Sequence, residues 1–211
     1  MKIRRWMAGL LAASALAAVV AVPVSAADPA TVVDVLAADG QEFDSKWSDY
    51  DIVERAALAV LAAKPSSAVG ALADPAATLT VFAPTDRAFR QLVNDLTGNR
   101  PATEARTFNQ LVKAVTGLVG PQNTIDTIEA ILLYHVVPGN VPSSVALGLD
   151  GTKVTTASGV PFRVIVDTSV RLADQDRNAP NAQLLLGRLD IGAGNSVIHT
   201  VNRVLRPINL P

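Results

Sequence analysis

The hydrophobic periodicity of this chain changes once, near Pro138-Gly139, and that change restricts the architectures open to it. Before it, apolar residues recur mostly at intervals of three and four; after it they fall in short runs separated by Gly, Asn, Asp and Pro. In "DYDIVERAALAVLAAK" (49–64), Ile52, Val53, Ala56, Ala57, Val60 and Leu61 share one helical face, Asp49 or Asp51 is available to cap the start, and Pro65 follows the end. "TLTVFA" (78–83) interrupts the helical pattern with a β-branched and aromatic run that reads as a buried strand. "PTDRAFRQLVNDLTGN" then reads as a turn and a helix: Thr85 is its N-cap, Asp86 meets the positive end of its dipole, and Gly98 ends it.

Two further helices are predicted to face a core. In "ATEARTFNQLVKAVTGLV" the face carries Phe108, Leu111, Val112 and Val115, and in "NTIDTIEAILLYHV" it carries Ile125, Ile128, Ile131, Leu132 and His135. Beyond Pro142, "TKVTTA", "PFRVIVDT", "VRLAD", "AQLLLGRLDI" and "SVIHTVNRVLRP" read as short β segments. With neither a repeat nor a low-complexity tract, helices followed by strands specify one α+β domain.

The first 26 residues are expected to be removed. Lys2, Arg4 and Arg5 precede an apolar run of small residues, and Val24-x-Ala26 or Ser25-x-Ala27 offers a cleavage site, the pattern of a secretory signal peptide. The run is short for a membrane span, which disfavours a retained anchor. Arg4-Arg5 leaves the export route open between the general pathway and the twin-arginine one. The remainder divides into a lead-in (27–49), a domain (50–207) and a short tail (208–211), with no membrane span after signal removal. The leader takes three basic residues with it. A mildly acidic chain without a basic cluster is unsuited to nucleic acid, because phosphate neutralisation needs grouped Lys and Arg.

Cysteine is absent. An exported chain without it has no disulfides, thiolate metal site or cysteine lipid anchor, so packing alone must stabilise the fold. Together with abundant Ala and Val, this points to a bacterial secreted protein.

The chain has two histidines, His135 and His199. Neither lies near a Gly-x-Ser-x-Gly nucleophile, and no His-x-x-x-His or His-Glu-x-x-His spacing marks a metal site. Asp167, Asp174 and Asp176 in "DTSVRLADQDRNAP" lack the glycine of a calcium loop and read as a solvated turn. We therefore expect no catalytic residue, metal or cofactor. Trp47 and Tyr50, ahead of the first long helix, either staple its start or form an exposed binding pair.

Three separated segments carry a family resemblance. "TLTVFAPTDRAFRQL" (78–92) resembles the first signature box of the fasciclin (FAS1) domain, "LLYHVVPG" (132–139) its Tyr-His segment, and "NSVIHTVNRVLRP" (195–207) its second box. The resemblance implies a wedge of two short β-sheets with helices packed around one side. It also implies a secreted or surface module for adhesion, matrix association or protein binding, without catalysis. The implied partner is an extracellular or cell-surface protein or matrix component, met by a monomer. The other class left open is an extracellular carrier or sensor of a small apolar ligand.

In some animal members the Tyr-His segment is linked to integrin recognition, which carries over only onto Tyr134 and His135. Thr85, Asp86, His135, His199 and Asn202 fall at structural positions of the motifs. Two departures stand out: residues 98–125 run longer than the compact pattern, and Asn202 replaces a common acidic residue. Counted as helix or as strand, His135 turns inward. It should therefore be buried, bonded to a backbone group or to Thr85 or Asp86, and hard to protonate.

Overall fold

The computed structural model describes residues 30–38, 40 and 42–210; the leader expected at 1–26 lies outside the described residues. Six α-helices are described: α1 (Val32–Leu36), α2 (Asp51–Ala63), α3 (Asp86–Thr97), α4 (Glu104–Val119), α5 (Thr124–Tyr134) and α6 (Ser143–Ala146). The strands are β1 (Leu79–Pro84), β2 (Val136–Pro138), β3 (Lys153–Thr155), β4 (Pro161–Val166), β5 (Val170–Ala173), β6 (Ala182–Gln183), β7 (Ile191–Ala193) and β8 (Ser196–Val201). The α+β order expected from the periodicity is present, with β1 as the strand set among helices.

Two four-stranded sheets result, ordered β2-β1-β8-β7 and β3-β4-β5-β6. The first gathers all three motif segments. β1 pairs antiparallel with β2 (Leu79 opposite Pro138) and parallel with β8 (Phe82 opposite His199). The parallel pair requires a long crossover, and the helices between β1 and β8 belong to it. β1 and β8 are buried along almost their whole lengths, as central strands covered on both faces must be.

Alternation along β1 divides the interior into two cores. Val81 and Ala83 point toward the helices, where they join Ile52, Val60, Phe89, Leu111 and Ile198. Phe82 points the other way, into a second core with Tyr134, Phe162, Leu172, Val201 and Leu205. The Phe82 and Phe162 rings meet in a T-shaped pair at a centroid distance of 5.4 Å. The second sheet thus covers the face of β1 and β8 that the helices leave open.

Several local expectations are corrected. Residues 27–49, read above as a lead-in, supply Val32 and Leu36 to the helical core, and Thr31 caps α1 in a reciprocal capping box with Asp34. Neither Asp49 nor Asp51 caps α2. Its N-terminal amides are taken by a carboxylate from another helix: Asp86 Oδ1 accepts from Ile52 N at 2.9 Å and Asp86 Oδ2 from Asp51 N at 3.2 Å. Thr85 occupies the N-cap position of α3, but its hydroxyl makes no capping bond. Gly98 ends α3 at φ +69°, the left-handed conformation that favours glycine.

Candidate functional site

His135 sits where α5 gives way to β2, and its ring makes that junction possible. A helix leaves its last four carbonyls without intrahelical donors. His135 Nδ1–H donates to one of them, Ile131 O, at 2.7 Å, while its Nε2 accepts the Leu205 amide at 2.8 Å. Those two bonds require the neutral Nδ1–H tautomer. The residue is 3 % exposed, and burial lowers its pKa from 6.5 to about 4 against the opposing pull of the Ile131 carbonyl. The expected backbone partners are present; Thr85 and Asp86 take no part. The ring ties the end of α5 to the C-terminal segment, and the His135 carbonyl accepts from Phe82 N in β1 at 2.9 Å.

Tyr134 is fully buried. Its hydroxyl donates to Pro161 O at 3.1 Å, and burial pushes the phenol up to about 12. Neither member of the Tyr-His pair presents a side chain to a partner. His199 is equally enclosed on β8, with Nε2 donating to Val141 O at 2.9 Å and Nδ1 accepting from Asp190 N at 3.2 Å. Both imidazoles therefore spend their nitrogens on main-chain groups.

Asn202 replaces a charge with a pairing element. Its side-chain oxygen accepts from Gln183 N at 2.8 Å and its amide donates to Gln183 O at 3.1 Å, so it joins the end of β8 to β6 across the two sheets. A carboxylate there could accept the same amide; the uncharged amide carries no ionic desolvation cost. The Asp174-Asp176 stretch is not the solvated turn expected. Asp176 is buried against Arg206 Nη1 at 2.7 Å, and Asp174 Oδ2 accepts from Arg206 N at 2.8 Å. Burial pushes the Asp174 carboxyl up to about 6.

Trp47 and Tyr50 precede α2, and the contacts of their side chains run to other elements. Tyr50 is buried, its hydroxyl 2.6 Å from Thr200 Oγ1, with the Arg188 guanidinium over its ring; Arg90 stacks on half-buried Trp47 at 4.4 Å.

Two features were not anticipated from sequence. One is an apolar groove of about 540 Å³, lined by Leu92 and Leu96 of α3, Val115 and Leu118 of α4, Ile131 of α5, and Ile208. Its lining comes from elements far apart in the chain, so no local pattern announces it. The other is a knot of carboxylates. Asp49, Asp86 and Glu104 each bring an oxygen within 4.8 Å of the others, and none is more than 5 % exposed. Burial and the Asp49 carboxyl push Asp86 up to about 9, and burial pushes Glu104 up to about 7.

These features define a two-sheet α+β domain whose histidines and tyrosine hold the frame. The family model of the fasciclin domain matches residues 56–207, and the chain belongs to that family. Its members are adhesion or protein-interaction domains, generally non-catalytic and typically extracellular or at the cell surface. No curated protein sequence matches the chain. Among solved structures it is similar to a FAS1 domain pair from the insect cell adhesion molecule fasciclin I, at 15 % identity and a TM-score of 0.43. The similarity spans 72 % of this chain and 44 % of that one. Among the described residues, no helix is long and apolar enough to cross a membrane.

Proposed function

We propose that this chain is an exported, monomeric, non-catalytic interaction module that meets an extracellular or cell-surface protein or matrix component. The observation that carries this reading is the fate of the candidate reactive groups. Tyr134, His135 and His199 are buried and hydrogen-bonded to backbone, which deprives a nucleophile of the accessible base it needs. With the Tyr-His pair enclosed, recognition belongs to other surfaces, because these side chains reach a partner only through local opening. The second reading, a carrier or sensor of a small apolar ligand, draws on the groove between α3, α4 and α5, whose volume lies in the range of small-molecule sites.

Native mass spectrometry of the exported protein, alongside cross-linked capture from cell-envelope and matrix extracts, separates the two. Capture of a saturable macromolecular partner by ligand-free protein supports the module. A stoichiometric bound small molecule with no macromolecular partner refutes it in favour of the carrier. The intact mass also tests export: the secreted chain should begin at Ala27 or Asp28. A turnover abolished by His135→Ala in a still-folded protein would overturn the non-catalytic assignment.

A further inference from the structure

We propose that Asp49, Asp86 and Glu104 form a binding site for a hard divalent cation of the calcium class. The three carboxylates arrive from separate places: Asp49 from the irregular segment ahead of α2, Asp86 from the first residue of α3, and Glu104 from the first residue of α4. Their nearest oxygens all lie within 4.8 Å of one another. Oxygens bound to one calcium ion at about 2.3–2.6 Å are at most about 5 Å apart, so all three can reach a common centre.

Glu104 supplies the independent observation. It is wholly buried, yet neither carboxylate oxygen has a hydrogen-bond partner. The Asp44 amide nearby donates to Asp51 Oδ2 at 3.2 Å. An enclosed acid side chain with no donor is costly in a folded protein, and a bound ion is one way to satisfy it. Asp49 is nearly the same: no N–H donor bonds its oxygens, the Asp86 carboxyl lies against it, and the Lys46 ammonium stands 3.8 Å away on a side chain that is 60 % exposed. Asp86 is anchored by the two α2 amides, which hold its carboxylate in place.

The donor set selects the ion. All ligands are carboxylate oxygens, with neither sulfur nor imidazole, which disfavours zinc and copper. The 42–50 segment is irregular, so its backbone can adjust to the larger and variable shell of calcium, whereas magnesium demands a near-ideal octahedron and keeps its waters. A second group, Asp44, Asp49 and Asp51, shares Asp49 with the first and brings exposed Asp44 to the rim. The ion would therefore enter from the Asp44 side.

Terbium, a luminescent stand-in for calcium, tests the site, because Trp47 lies two residues from Asp49 and can sensitise its emission. Wild-type protein should give Trp-excited terbium emission that calcium competes away. In chelator-stripped buffer, calcium at a hundredfold excess over its Kd should raise Tm by about 5–10 °C. Glu104→Gln should weaken calcium binding at least tenfold while keeping or raising Tm in chelator; if it does not fold, Asp49→Asn serves the same purpose. Asp167→Asn, on the exposed surface, should change nothing. No sensitised emission and no Tm shift at about 10 mM calcium would overturn the proposal and leave the carboxyls sharing protons. Equal responses in wild type and both site variants would place the ion elsewhere and overturn it too. A magnesium or zinc response matching that of calcium would refute the assigned class.

Discussion

Replacing His135 by phenylalanine should remove a specific, pH-dependent part of the stability. The ring is neutral in the folded protein, donating through Nδ1 and accepting through Nε2, so protonation at Nε2 would set two donors, the new N–H and the Leu205 amide, against each other. Its pKa falls from 6.5 to about 4 on folding. The unfolded chain therefore takes up this proton first, and the contribution is fully present above about pH 6.5 and lost as pH falls toward 4. At 1.36 kcal/mol per pKa unit the full loss is about 3 kcal/mol, of which about 2 kcal/mol disappears between pH 7.5 and pH 5. Acidic groups with raised pKa values, Glu104 and Asp174 among them, act with the opposite sign. They are common to both proteins and cancel in the difference.

Urea unfolding of wild type and His135→Phe, both in chelator, measures that difference. At pH 7.5 the variant should be less stable by about 1–3 kcal/mol, because the Leu205 amide loses its acceptor. At pH 5 the gap should change by about 2 kcal/mol in the variant's favour. A gap independent of pH, or a His135 resonance titrating near 6.5, would refute the inference that this ring is locked neutral by burial.

Tyr50→Phe should cost about 1–2 kcal/mol in urea unfolding by stranding the Thr200 hydroxyl, and a cycle with Thr200→Val should recover a coupling energy of similar size. Arg206→Met should destabilise by about 3–5 kcal/mol, because Asp176 is left buried beside an apolar side chain; adding Asp176→Asn should restore much of that loss. Gly98→Ala should cost about 1 kcal/mol through its positive φ alone, since an added Cβ meets no atom within 4 Å there; calorimetric Tm tests it.

Local chemistry made much of the architecture legible. Ile52, Val53, Val60 and their neighbours recur at helical spacing and form the buried face of α2, and the same holds for Leu111 and Val115 of α4 and Ile128 and Leu132 of α5. Gly98 ends α3 because glycine tolerates the left-handed turn. His135 could be placed inward because both possible registers put it on an apolar face. The motif segments were recognisable from their own residues, and the family match spans all three.

What sequence alone left undecided is where each polar group finds its partner. Asp86 was expected to serve its own helix and instead caps α2, thirty-four residues before it at Ile52. His135 meets the Leu205 amide seventy residues away, and Asn202 pairs with Gln183 across two sheets. Nor could a linear pattern bring Asp49, Asp86 and Glu104 together, or open the groove behind α3, α4 and α5. Periodicity records which face of an element avoids water, and that preference is set residue by residue. Hydrogen bonds and charge contacts act over a few ångströms between remote segments, so they exist only once packing has brought those segments together.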